Sequence, residues 1–310
     1  MRAFAHESFG DPGSIREVDL PHPSANEVRI KVIAASVNPV DWKTGKGYLK
    51  DYVEHRFPLI LGQDVSGVVD SVGAHVHDLK EGDEVFGAHG QMFMGRGTHA
   101  EYVIANTVAL APLPAGLKAP AAASIPLAGV TALMCVDAIG VRDGDAVLIV
   151  GAAGGVGSFA IQIAVARGAR VIAVGRSVNH DYMRKLGASE TVDYEDGDLV
   201  EKVRAVHPAP LDGIIDLASD ADTVRRLSSL LRDGATVASP VGTAPMDDLR
   251  IKGAFIAAQV TRDRLEQLTG SLADGTMVLP EIRTFKLEDV SSAFRESEGG
   301  HVRGKLVVTP

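Results

Sequence analysis

The stretch VLIVGAAGGVGSFAIQIA, residues 147–164, constrains the fold more than any other. A short apolar run enters a glycine-rich turn, and an apolar segment of helical periodicity follows at once. That order is strand, tight turn, helix, the opening of a βαβ unit. Gly154 and Gly157 fill the second and third positions of a G-x-G-x-x-G pattern, and Ala152 stands in the first. Gly154 lets the backbone approach a pyrophosphate, and Gly157 allows the helix to pack close to the strand. The first turn of the helix then offers free amides and the positive end of its dipole to phosphate. A bare strand–helix turn needs none of these features together.

The surrounding text supports the same unit. Apolar runs at 146–150, 170–174, 191–194, 213–218, 235–240 and 255–260 alternate with helical segments. Continuous apolar strands between helices predict a parallel sheet covered on both faces, a doubly wound α/β domain. At the tip of the second strand stand Gly175, Arg176 and Ser177, with no carboxylate before Asp181. A guanidinium and a hydroxyl suit a 2′-phosphate better than a ribose hydroxyl, so NADP is preferred to NAD.

Residues before about 122 have a different texture. In EVRIKVI, Val28, Ile30 and Val32 alternate with Arg29 and Lys31, the pattern of a half-buried strand. Several such runs, separated by Gly, Pro, Asn and Asp, predict a β-rich, partly open barrel. From about Val278 the chain returns to strand-like text and ends GKLVVTP. The expected division is therefore 1–122 plus 278–310 for one domain and 123–277 for the other, with ligand in the cleft between them.

With 310 residues there is material for about two domains. A formal charge of −9 and the absence of a long basic run argue against nucleic acid and against an anionic membrane as partners. The opening MRAFAHESFG has no apolar signal core, and the most apolar window is broken by glycines, so a cytoplasmic protein is expected. Cys135 is the sole cysteine; it reads as a buried inert thiol and leaves no Cys-based zinc site. The run FIAAQV (255–260) carries no charge, and as a sheet edge it would be covered by a second copy in a homodimer.

The motifs VNPVDWKTG, LGQDVSGVVDSVG, KEGDEVFG, AEYV, GAAGGVGSFAIQIA, LGASETVDY and terminal GKLVV, taken together, resemble the medium-chain dehydrogenase/reductase superfamily. Within it they are similar to the zinc-free quinone oxidoreductase and alkenal/enone reductase branch, over essentially the whole chain. The resemblance implies a GroES-like barrel domain beside a Rossmann domain. It also implies hydride transfer from NADPH to a quinone or to the C=C bond of an α,β-unsaturated carbonyl. Zinc-dependent relatives place a Cys near Asn38 and a His-Glu pair where Gln63 and Asp64 stand, so no metal is expected.

The same resemblance assigns residues. Lys43 is expected against cofactor and substrate, as the cation that stabilises enolate charge. Asn38 stands where a metal ligand would be, and Tyr48 lines the pocket or donates a hydrogen bond. Thr131 is expected near the nicotinamide amide, Gly155 and Val156 at the pyrophosphate, and Tyr194 near the adenosine phosphate. Ala218, Pro240 and Val241 stand at carboxyl ends of strands, where ligands of open parallel sheets bind, and Lys305 is expected near the cofactor. His75 and His77 read as a solvated turn, His99 as a packed strand-end residue, and the loop GAHGQMFMGRG as a ligand cap or a buried flap. Trp42 has no assignment. The rival readings are an enoyl-thioester reductase of the same superfamily and an NADPH-binding sensor without turnover.

Overall fold

The computed structural model describes residues 1–195 and 197–310. They form two compact units: Met1–Leu127 with Val260–Gly270 and Glu281–Pro310, and Ala128–Gln259 with Ser271–Pro280. The chain thus revisits the first unit twice, where one return near 278 was expected. The additional visit is held by Arg262, which donates to the Leu110 carbonyl across 3.0 Å and pairs with Asp78 at 2.6 Å.

The first unit is antiparallel in the main. Its larger sheet runs Ile282–Lys286, Lys305–Thr309, Glu27–Val37, Asp64–Val72, Glu84–Ala88, Leu110–Pro112, with Tyr102–Asn106 also paired to Glu27–Val37. The terminal strand Lys305–Thr309 lies antiparallel to the end of Glu27–Val37. Alternation places Val28, Ile30 and Val32 in a core with Val65, Val69, Val85 and Leu110, while Lys31 is exposed. A smaller sheet orders Ser14–Glu17, Arg2–His6, His55–Ile60 and Met94–Arg96.

In the second unit, six parallel strands run in the order Glu190–Val192, Arg170–Val174, Ala146–Val150, Leu211–Asp216, Leu231–Ser239, Lys252–Phe255. By chain order that is 3-2-1-4-5-6, the doubly wound arrangement, with its switch point between Ala146–Val150 and Leu211–Asp216. All five residues of Ala146–Val150 are buried, as a strand covered on both faces requires. One strand differs from its sequence expectation: the edge is Lys252–Phe255, not 255–260. Its partner ends at Ser239, whose carbonyl accepts from Ile256 N–H at 3.0 Å. Pro240 follows, has no N–H and cannot extend the ladder. Among the described residues no helix is long and apolar enough to cross a membrane.

Candidate active site

The glycine turn differs in one detail from its reading. Gly151, not Ala152, makes the sharp turn, at φ +77°, and no non-glycine residue among those described has positive φ. Ala152 is fully buried, and its N–H donates to the Val174 carbonyl at 3.0 Å. Gly157 is glycine for lack of room: a Cβ there would lie 2.5 Å from Gly151 O and 2.6 Å from Ala152 Cα. Gly154 is not so constrained. Its φ is −75°, and a Cβ would meet Gly151 O alone, at an ordinary 3.5 Å. No protein atom within contact distance requires Gly154 to lack a side chain. The helix Gly155–Ala166 begins there with no side-chain cap, leaving its first-turn amides to other acceptors.

Around that turn, Ala218 is a close neighbour, since a Cβ on Gly151 would stand 3.1 Å from the Ala218 Cβ. Val241 N–H donates to Ser239 Oγ at 3.2 Å. The same strand ends hold a group that sequence reading missed. The buried Asp216 accepts from Thr243 Oγ1 at 2.5 Å and from Ser219 N–H at 3.0 Å. A buried carboxylate can be recognised only when its donors are known, and these lie 3 and 27 residues away. Arg176 pairs with Glu195 at 2.9 Å, and Ser177 N–H donates to Asp193. Two carboxylates therefore stand at a strand tip where the sequence showed only a guanidinium and a hydroxyl. Thr131 is buried on the helix Pro126–Ile139, and Tyr194 is 43% exposed.

In the first unit the sequence NPVDWKTG forms a short helix, Pro39–Gly45. Pro39 opens it, where a missing N–H costs nothing. Asp41, at the third position, accepts from Asn38 N–H at 2.7 Å. Asn38 is buried and spends its side chain inward: Nδ2 donates to Asp64 Oδ2 at 2.9 Å, and Oδ1 accepts from Lys305 Nζ at 2.6 Å. Asp64 also accepts from Ser36 Oγ at 2.5 Å and Leu127 N–H at 2.8 Å, and lies 3.8 Å from the Lys305 ammonium. Lys305, expected beside the cofactor, is 4% exposed and spends its ammonium on Asn38 and the Val37 carbonyl. Asn38 is likewise a member of this interior network.

The electrostatics follow from burial. Asp41, inaccessible to water and next to Asp64, is pushed up to about 7, against the pull of Asn38 N–H and Lys305. Burial pulls Lys305 down, and the two carboxylates oppose that. His99 is fully buried and pushed down to about 4, so it is neutral at pH 7. Cys135 is buried and raised to about 12, an inert thiol.

Lys43 contrasts with Lys305. It is half-buried, and no carboxylate pairs with it among the described residues; its ammonium stands 5.6 Å from the Trp42 ring centroid. Tyr48 is 60% exposed and edge-on to the same indole at 6.3 Å. Thus Lys43, Trp42 and Tyr48 come together on one side of the short helix segment, and Asn38, Asp41, Asp64 and Lys305 in the interior. His75 and His77 are exposed.

Residues 24–115 match the alcohol dehydrogenase GroES-like domain, and residues 155–277 match the zinc-binding dehydrogenase domain. The chain belongs to the medium-chain dehydrogenase/reductase superfamily. Similar members include a chloroplast envelope quinone oxidoreductase homolog of Arabidopsis thaliana, 28% identical over all of this chain and 98% of the relative. Another is a 2-methylene-furan-3-one reductase of Solanum lycopersicum, 30% identical over all of this chain and 79% of that one. The solved structure of a quinone oxidoreductase from Coxiella burnetii is 32% identical, with a TM-score of 0.90 over 100% of this chain and 99% of the other. The protein is accordingly an oxidoreductase of this superfamily, with an NAD(P)-binding unit and a GroES-like unit.

Proposed function

We propose that the chain is an NADPH-dependent reductase of quinones or of the C=C bond of α,β-unsaturated carbonyls, and that it works without zinc. The observation that carries this reading is the unpaired ammonium of Lys43, half-exposed on a helix whose start is fixed by the buried Asn38–Asp41–Asp64–Lys305 network. The relatives named for quinones and for 2-methylene-furan-3-one reduction point the same way.

The residues present suit a nicotinamide dinucleotide. Bound there, it supplies the hydride. The protein's own share is binding and charge. The open backbone at Gly154 and the first-turn amides of 155–157 receive pyrophosphate. Arg176 and Ser177 receive the 2′-phosphate, with Arg176 turning from Glu195 to do so. Gly175, Thr131, Tyr194, Ala218, Pro240 and Val241 are assigned to the remaining cofactor contacts. Lys43 stabilises the negative charge that appears on the substrate oxygen as its carbon is reduced, and Tyr48 is a second donor. Solvent supplies the final proton.

Zinc, named in the description of the matched domain, does not suit these residues. Asn38 and Asp64 are spent on each other and on Lys305, whose ammonium already places a positive charge 2.6 Å from Asn38 Oδ1. Among the described residues no group of three or more His, Cys, Asp or Glu could hold a metal ion. We also propose a homodimer across the Lys252–Phe255 edge, where Phe255 is 60% and Met246 72% exposed.

The test is an acceptor panel of quinones and short enones under NADPH and NADH, with Lys43→Ala. Enone or quinone turnover favouring NADPH is expected, with kcat reduced about 100-fold in Lys43→Ala at unchanged melting temperature. A full rate in Lys43→Ala with every acceptor refutes the assigned role. Cofactor binding without oxidation by any acceptor refutes the enzyme.

A further inference from the structure

Trp42 has no task in the reading above, yet its surroundings are specific. The indole Nε1 donates to Ser297 Oγ at 3.2 Å, tying the Pro39–Gly45 helix to the Val290–Glu298 helix. The ammonium groups of Lys43 and Lys46 each stand 5.6 Å from the Trp42 ring centroid, within the ~6 Å over which an aromatic face attracts a cation. For Lys46, one turn along, this is ordinary helix geometry. For Lys43 it is not: neighbouring residues on a helix do not face each other, so its side chain folds back over the indole. The two ammoniums also differ in charge balance. Lys46 is paired with Glu298, whereas Lys43 has no ion pair among the described residues. Tyr48 closes the group, edge-on to Trp42, with its N–H donating to the Lys43 carbonyl at 3.0 Å.

We propose that Trp42 is the positioning residue of Lys43. A lysine stem is flexible, and a free ammonium samples many positions. A carboxylate partner would fix it and also cancel its charge for the substrate. An indole face fixes it and leaves its N–H donors and its charge available. Ser297 keeps the indole in place, and Glu298 keeps Lys46 from competing as a second uncompensated cation for the same ring. This rests on the reading of Lys43 as the charge that meets the substrate oxygen.

The experiment has a spectroscopic and a kinetic arm. With lysine labelled at 13Cε, the Lys43 signal is assigned by its loss in Lys43→Ala. It is expected upfield by ring current in the wild type and in Trp42→Phe, and at the free-lysine position in Trp42→Leu. For a short enone under NADPH, Trp42→Leu is expected to lower kcat about tenfold with KM nearly unchanged, while Trp42→Phe retains most of the rate. In a Lys43→Ala background, Trp42→Leu is expected to change kcat by less than about twofold, because residues acting through one another are not additive. Ser297→Ala, which leaves the ring itself intact, is expected to give a smaller loss of the same kind. Equal losses from Trp42→Leu in both backgrounds would make Trp42 a packing residue and overturn the proposal. A wild-type Lys43 signal at the free-lysine position overturns the contact itself, whatever the kinetics. A full rate in Lys43→Ala instead overturns the functional reading, with the ring-current shift still in place.

Discussion

The glycine turn at 151–157 and the segment at 38–48 solve opposite problems. In the turn the limit is space: a side chain at Gly157 would collide with backbone that cannot yield, whereas one at Gly154 would meet protein atoms only at ordinary contact distance. In the segment the limit is charge. Asp41, Asp64 and Lys305 are 1%, 0% and 4% exposed and hold one another through Asn38, while Lys43, two residues from Asp41, stays half-exposed beside an indole. A lysine surrounded by carboxylates and carbonyls is a structural charge; a lysine beside an aromatic ring keeps its charge for use. Backbone sites are therefore sensitive to volume, and side-chain sites to the removal of a partner.

The largest effect that comparison predicts is at Lys305. Lys305→Met leaves Asp64 and Asp41 buried without a counter-charge, and breaking such a pair costs about 3–5 kcal/mol. Thermal unfolding should show a large drop, partly restored in Lys305→Met/Asp64→Asn. An unchanged melting temperature would mean that Lys305 is not the counter-charge of the buried carboxylates, and the contrast with Lys43 would fail.

Asp41→Asn tests the same network by pH. The unfolded chain releases this proton near 3.8 and the folded one at about 7. Between those values the folded state binds more protons. The contribution of Asp41 to stability is therefore full below pH 4, falls as pH rises, and levels off above about 7. His89 and His99, both pushed down to about 4, act the other way: their contribution is complete above 6.5 and is lost as pH falls towards 4. Subtracting wild type from variant isolates Asp41, since asparagine keeps an acceptor for Asn38 N–H and removes the titration. The variant is expected to gain on wild type from pH 5 to 7, by about 2.7 kcal/mol at 1.36 kcal/mol per unit, and to gain little more above pH 7. A difference independent of pH would show that Asp41 is ionised throughout.

At the turn, Gly157→Ala is expected to cost about 1–3 kcal/mol of stability through overpacking. Gly154→Ala should leave the melting temperature alone and weaken NADPH binding about tenfold, or about 1.4 kcal/mol by calorimetry. If both substitutions acted on stability alone, the turn would be packing and not a ligand cradle.

The glycine turn was legible because its chemistry is local: strand, turn and helix lie within about twenty residues, and each glycine answers a backbone question. The parallel order of the second sheet followed from continuous apolar runs, and Pro240 explains the one strand that was misplaced. The interior network was not legible. Asn38 meets Lys305 across 267 residues and Asp64 across 26, and nothing local marks Asp41 or Asp64 as buried. The motif singled out Lys43 but could not say that Trp42 shares its space, because that depends on rotamers and on Ser297, 255 residues away.

The smallest predicted effect concerns the acidic neighbours of Arg176. Its pair with Glu195 joins side chains 36% and 42% exposed, and such pairs contribute about 0–1 kcal/mol. Asp193 is close by, accepting from the N–H groups of Ser177 and Glu195, each at 2.9 Å. A 2′-phosphate must take the guanidinium from Glu195 and tolerate a nearby carboxylate. Glu195→Gln removes both the competitor and one repelling charge, so the ratio of NADPH to NADH affinity is expected to rise about two- to fivefold. Arg176→Ala is expected to lower that ratio. If neither substitution moves it, the guanidinium is a surface charge. A fall in NADH affinity in Asp193→Asn would then make Asp193 the ribose partner, and the strand tip would read as an NAD site despite its arginine.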